Sequence, residues 1–284
     1  MDDALARNLA TARRLALTSV LPLAVVLALL LGVLGMLLAG PIGAVFLVAI
    51  VAVGAALAVV NLRRAAPVLA IAAAGAGPVS QADEPRLHNL VEGLCVGIGL
   101  TPPTLWLVDD PAANALAAAQ TVDAAHLVVT RGLLTRLSLV ELEAVLAHEL
   151  ARIRRGEAVV GALALPVLGG GPALRGLSQI GGARFALWMP LLAAPISRAI
   201  VGRGEPVESW SDLAAVDITR YPPGLTAALE KLAADPTPVQ AASPAVSHLW
   251  IHGATAEGPA GAALRRVYEP APSVGRRIEV LEEL

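Results

Sequence analysis

Residues 138–157 read SLVELEAVLAHELARIRRGE, and the rest of the chain is best read outward from them. Ser138 followed three residues later by Glu141 has the form of a capping box. In that arrangement the serine oxygen takes a backbone N–H of the first turn and the glutamate reaches back to the serine N–H. Leu139, Leu142, Val145 and Leu146 then recur at helical spacing. A helix is therefore predicted from Ser138 through His148 to about Arg155, ending at Gly156. His148-Glu149 falls in its middle. Two histidines four residues apart share a helix face and both reach a metal, while the glutamate beside the first serves as general base on metal-bound water. Here the position four after His148 is Arg152. His-Glu without the second histidine is a weak signal, because such a pair also suits an ordinary solvated helix face.

A third ligand of such a site comes from elsewhere in the chain, commonly a glutamate on a later helix. Glu208 and Asp212 are spaced four apart and share a helix face. Glu208 is the candidate metal ligand, and Asp212 is placed to orient a ligand imidazole from behind. Helices are predicted over Ser209–Thr219 and Leu225–Ala234, with Pro222-Pro223-Gly224 as the break between them. A terminal amphipathic helix follows over Ser273–Leu284. Residues 235–247 and 253–262 read as loops. Upstream, Thr104–Val108 and His126–Thr130 read as strands, Asn114–Ala118 as a short extended edge, and Arg131–Leu137 as a short helix.

Composition points to a bilayer. Of 284 residues, 56% are apolar and only 15% charged, against about 25% in an ordinary soluble domain. No charged residue occurs between Leu15 and Leu62. That run is long enough for two spans of about 20 residues each, and Gly40-Pro41 divides it. Helices are predicted over Leu15–Ala39 and Ile42–Leu62, too long together for a signal peptide. Arg7, Arg13 and Arg14 precede the pair and Arg63 and Arg64 follow it, so both ends belong in the cytoplasm. Two further uncharged runs, Ala158–Leu174 and Phe185–Ser197, are short enough to be either buried core helices or membrane-associated pieces. The net charge of −2 leaves no nucleic-acid footprint. The lone Cys95 excludes an internal disulfide and suits a small buried apolar position.

The segment from Arg86 to Glu157 contains RLHNLVEGL, PAANALAAA and VVTRGLLTRLSLVELEAVLAHELARIRRGE. It resembles the HtpX-type membrane zinc metallopeptidases, and TRYPPGLTAALEKL and His248–Ile251 resemble that family's tail. The resemblance implies a mainly α membrane protein of the bacterial plasma membrane. Residues 1–64 would form an N-terminal transmembrane helical hairpin. Residues 65–284 would form a cytosolic α+β, zincin-like (gluzincin-type) metallopeptidase domain with a small antiparallel sheet. It further implies zinc as cofactor, His148 and Glu208 as ligands, Glu149 as general base, and Asn114, Ala115, Leu116 and Ala117 as an edge that holds extended peptide. The implied partners are the lipid bilayer and extended peptide or membrane-protein clients.

The chain departs from that pattern at two places. Arg152 stands where the family has its second histidine, and Ala271-Pro272 where it usually has His-Pro. A guanidinium has no lone pair to give a metal and carries a positive charge where a dication would sit. His88, His126, His248 and His252 are expected as solvated or hydrogen-bonded imidazoles. Three functional readings follow: a pseudopeptidase that binds membrane or unfolded proteins, an active zinc endopeptidase, and a structural membrane protein. Pairing of Arg152 with Glu208 or Glu149 would let the guanidinium stand in for the cation.

Overall fold

The structure, a computed structural model, describes residues 2–168, 211–234, 246–252 and 273–284, together with positions 237, 239, 240 and 242. The chain opens with α1, Asp2–Ala73, broken only at Ala39 and Gly40. Gly40 has φ 67°, a left-handed value glycine takes without penalty, and Pro41 follows with its φ already set for a new helix. The two arms lie against each other. A Cβ on Gly43 would sit 2.6 Å from the Gly35 carbonyl oxygen, and one on Gly32 3.2 Å from Val48. Further along, Val20 and Ala24 pack with Ala55 and Ala58. Small residues are what allow two helix backbones to approach this closely.

The helix outruns both apolar segments expected from sequence. The reason lies in its ends: Ala12, Leu15 and Ala16 from one arm and Leu62, Ala66, Leu69 and Ala70 from the other are buried in the main core. Between these roots the surface is different in kind. Leu21, Leu29, Leu30, Val33, Leu37, Ile42, Phe46 and Val53 are all exposed. Among the described residues α1 is the helix long and apolar enough to cross a membrane.

The remaining elements follow in order. Helix α2 covers Pro85–Ile98; it buries Leu87, Val91, Leu94 and Cys95 and ends on Gly99 at φ 65°. Burial, with the charge of Glu92 nearby, pushes the Cys95 thiol up to about 11, in keeping with an inert apolar position. Strands β1 (Gly77–Pro78), β2 (Thr104–Val108), β3 (Ala115–Thr121) and β4 (Ala124–Thr130) form one sheet in the order β1-β2-β4-β3. The expected antiparallel sheet is in fact mixed, since β2 and β4 run parallel while β3 and β4 run antiparallel. The short turn at Val122-Asp123 forces β3 and β4 antiparallel. The link over 109–114 carries the chain past the position of β4 to the sheet edge, so β4 returns alongside β2 in the same direction.

After α3, Arg131–Arg136, comes α4, Leu139–Arg154. The capping box read from the sequence is formed: Glu141 N–H donates to Ser138 Oγ at 3.4 Å and Ser138 N–H to Glu141 Oε2 at 2.7 Å. Helix α5, Glu157–Leu168, settles the described part of the first uncharged run. Its side chains from Ala158 to Val167 are buried, packed on α1, α4 and β3, so this stretch is a core helix. Residues 169–200, including the second run, lie outside the described residues. Helix α6 spans Ser211–Thr219, α7 Pro222–Ala234 and α8 Val274–Glu282. Pro222 and Pro223 begin α7 rather than merely ending α6, because the first helical turn needs no N–H from proline.

Close approach at Gly132 locks α3 under the 109–114 link. A Cβ there would run into the Pro111 carbonyl and lie 2.6 Å from the Ala112 carbonyl oxygen. Gly132→Ala should therefore lower stability by about 1–3 kcal/mol, read as a fall in the denaturation midpoint. An unchanged midpoint would show that the backbone yields freely.

The capping glutamate supplies a pH signature. Burial opposes ionisation of Glu141, but hydrogen bonds and charge from Lys231, at 2.7 Å, and hydrogen bonds from Ser138 outweigh it and hold its carboxyl below its ordinary value of 4.5. A depressed folded value means that the stability it contributes is present above pH 4.5 and is lost as pH falls through the lowered value. Glu141→Gln should cost about 1 kcal/mol at neutral pH, and the gap from the native chain should narrow as pH falls from 4.5 through the lowered value. A pH-independent gap in urea midpoints would reject this account.

Candidate active site

Helix α4 delivers three charged or titratable side chains into the interior. His148 is 5% exposed, Glu149 0% and Arg152 5%. They are not a solvated face. One side of the helix must take them because Leu142, Val145, Leu146, Leu150 and Ile153 fill the core around them.

Each buried group has a partner. Arg152 Nη1 donates to Glu149 Oε2 at 3.0 Å and to Oε1 at 3.3 Å. The same nitrogen donates to the Leu249 carbonyl at 2.7 Å. His148 Nδ1 lies 2.9 Å from Asp212 Oδ1, and its Nε2 lies 3.9 Å from Glu149 Oε1. The Asp212 carboxylate beside Nδ1 orients the imidazole and turns Nε2 toward the Glu149 side. Asp212 is in turn gripped by Arg277, with Nε and Nη2 each at 2.7 Å. Burial works against ionisation of Asp212, yet hydrogen bonds and charge from Arg277 and His148 outweigh it and hold its carboxyl well below the usual range.

The segment expected as an edge lies at one margin of the sheet as β3, and the chain's own segment lies on it. Leu116 bridges to Trp250 in antiparallel fashion, and Ile251 N–H donates to the Ala115 carbonyl at 2.9 Å. Asn114 Nδ2 donates to the His252 carbonyl at 2.5 Å, while His252 N–H donates to Asn114 Oδ1 at 3.3 Å. Ala115 to Ala119 are buried. Arg277 Nη1 adds a bond to the Ile251 carbonyl at 3.0 Å. Two buried arginines thus hold the backbone of 249–251 beside Glu149.

His148, Glu149, Arg152 and Asp212 therefore come together, with Asn114, Ala115, Leu116 and Ala117 next to them across the 249–252 segment. Glu208 and Ala271-Pro272 lie outside the described residues. His88, His126 and His248 are engaged elsewhere: His88 with the Glu84 carbonyl, His126 with the Trp106 indole N–H at 3.1 Å, and His248 with the Gly161 carbonyl at 3.1 Å. Sequence reasoning missed Arg277 and the Leu249 carbonyl. The only local signal for Arg277 was a basic residue on a terminal amphipathic helix, and a backbone carbonyl leaves no trace in sequence.

Catalytic zinc needs three nitrogen, sulfur or oxygen donors from the protein. Here the side chain four residues after His148 is the guanidinium of Arg152, which donates to Glu149 and offers a metal no lone pair. Among the described residues no group of three or more His, Cys, Asp or Glu side chains is poised for a metal. The described donor set does not fit a zinc ion.

Comparison with known proteins decides the lineage of this fold. The profile of Peptidase family M48 matches residues 81–284. The chain belongs to peptidase family M48. It is HtpX-like within that family: a "Protease HtpX homolog" of Tropheryma whipplei (strain Twist) is 34% identical over 231 residues, covering 76% of this chain and 78% of the relative. One from Dictyoglomus turgidum is 29% identical over 215 residues, covering 69% and 68%. One from Bacteroides fragilis (strain YCH46) is 28% identical over 235 residues, covering 75% and 72%. No solved structure matches. In this chain Asp212, held by Arg277, lies directly behind His148.

Removing the support should be costly, because it strands a buried charge. Arg277→Met should destabilise the chain by about 3–5 kcal/mol, measured by chemical denaturation. A loss below about 1 kcal/mol would place the pair among weak surface ion pairs.

Proposed function

We propose that this chain is a membrane-anchored M48-family pseudopeptidase, which engages membrane or unfolded proteins without cutting them. The observation that carries the reading is the guanidinium of Arg152 on both oxygens of Glu149. A general base must be free to take a proton from water. Glu149 is instead neutralised by a cation that cannot bind a substrate oxygen as a metal would. Arg152 thereby stands in electrostatically for zinc and keeps the buried carboxylate tolerable.

The anchor is a transmembrane hairpin made by the two arms of α1, with the M48 domain facing the cytoplasm of a bacterial cell, as the arginines flanking the apolar run favour. Extended segments of client proteins are the proposed ligands. They add along β3 from Asn114 to Ala117, where segment 249–252 now lies, by strand addition. A second reading, an active zinc endopeptidase, draws support from His148, Glu149 and Asp212 being retained in place and from relatives named as proteases. In that reading zinc would be held by His148, Glu208 and donors beyond those described here.

Zinc content and casein cleavage on the purified chain, beside Arg152→His, separate the two. The pseudopeptidase reading expects trace zinc and no cleavage in the native chain, unfolded casein bound intact, and about one zinc per chain in Arg152→His. Near-stoichiometric zinc with cleavage in the native chain would establish the second reading instead.

A further inference from the structure

Between Ala4 and Ala82 the chain has five arginines, Arg7, Arg13, Arg14, Arg63 and Arg64, and no carboxylate. The packing of α1 gathers four of them at one level. Val20 and Ala24 meet Ala55 and Ala58, and Gly32 meets Val48. Carried outward by six residues from Val20 and from Ala58, that register brings Arg14 level with Arg64, with Arg13 and Arg63 beside them. Arg7 lies two turns further out. Arg7, Arg13, Arg14 and Arg64 are exposed and Arg63 is half-buried. None of the five makes an ion pair with a described residue. Among the described residues Glu157, at the start of α5, is engaged by Arg155 at 3.0 Å and by Ser211 at 2.7 Å.

Their height along the hairpin is as telling as their charge. Large apolar side chains are exposed on the first arm from Leu21 to Leu38 and on the second from Ile42 to Val60. At 1.5 Å per residue each belt is roughly 27 Å tall, close to the hydrocarbon thickness of a bilayer. Arg14 stands about 10 Å below the lower edge of the first belt and Arg64 about 6 Å below that of the second. Those offsets place guanidinium groups in the headgroup layer, at one face of the membrane only. The Ala39-Gly40 end carries no charge. Guanidinium is well suited to phosphate, which it meets with two parallel N–H bonds.

We propose that Arg13, Arg14, Arg63 and Arg64, with Arg7 beyond them, form a binding site for anionic phospholipid headgroups at the root of the hairpin. The same root carries Ala12, Leu15, Ala16, Leu62 and Ala66 into the domain core, and Asn8 donates to the Arg155 carbonyl at 2.8 Å, one residue past α4. Lipid held there therefore braces the joint between membrane and domain. This inference rests on the transmembrane-hairpin reading and is independent of whether the chain cleaves peptides.

The test uses the full chain in detergent, offered equal amounts of phosphatidylglycerol and phosphatidylcholine with identical acyl chains, with bound lipid counted by native mass spectrometry. Phosphatidylglycerol should exceed phosphatidylcholine by about fivefold or more, and roughly 0.5 M salt should collapse the preference. Replacing Arg13, Arg14, Arg63 and Arg64 by Gln should bring the ratio towards parity, while replacement by Lys should keep most of it. Parity in the native chain, an unchanged ratio in the Gln variant, or loss of the phosphatidylglycerol preference on adding inorganic phosphate at matched ionic strength would overturn the proposal. If the Gln variant does not fold, the salt arm on the native chain decides alone. Alkaline extraction of membranes tests the hairpin separately. Release would overturn that reading and this one with it, whereas retention with lipid parity would overturn this one alone.

Discussion

A carboxylate with no exposed surface must be neutralised, and at Glu149 the neutralising group is Arg152. Ionic groups taken out of water lose several kcal/mol each in effective solvation, which only close partners and further hydrogen bonds offset. The guanidinium meets both requirements at once by reaching Glu149 and the Leu249 carbonyl. Through the Leu249 carbonyl the same guanidinium is tied to segment 246–252, which also bridges to the β3 edge. A neutral side chain at 152 would leave His148 as the charged or polar neighbour of Glu149 among the described side chains.

Behind this pair stands a second one built on the same logic. Arg277 on α8 neutralises Asp212 on α6, and Asp212 faces His148 on α4. Three helices far apart in sequence are drawn together by one buried chain of charges, and the carbonyls of Leu249 and Ile251 are each taken by one of its two arginines. His148, Glu149, Arg152, Asp212 and Arg277 are thus joined in one buried polar scaffold.

The same interior extends into the anchor. The ends of α1 contribute Leu15 and Leu62 to the core that also holds Leu116, Leu146 and Leu163, so the apolar belt and the site share one packed unit. Packed interiors transmit displacement because they cannot deform smoothly. The described part of α5 lies between α1 and the sheet for this reason, as a core helix wrapped by apolar neighbours.

Much of this was legible in one dimension. The cap at Ser138, the helix through His148, the strands at Thr104 and His126 and the uncharged run split at Gly40-Pro41 are local patterns, and local hydrogen bonding and helical or strand periodicity determine them. The family resemblance likewise placed His148, Glu149 and Asp212 together. Tertiary structure alone decided the rest. It set the parallel pairing of β2 with β4, which depends on how a six-residue link crosses a neighbour. It put α5 in the core, which hydropathy cannot distinguish from lipid. It brought Arg152 onto Glu149 and Asp212 onto Arg277, 65 residues away. It laid Trp250 and Ile251 on the β3 edge. These outcomes depend on which distant groups share a desolvated space, and neither spacing nor composition encodes that.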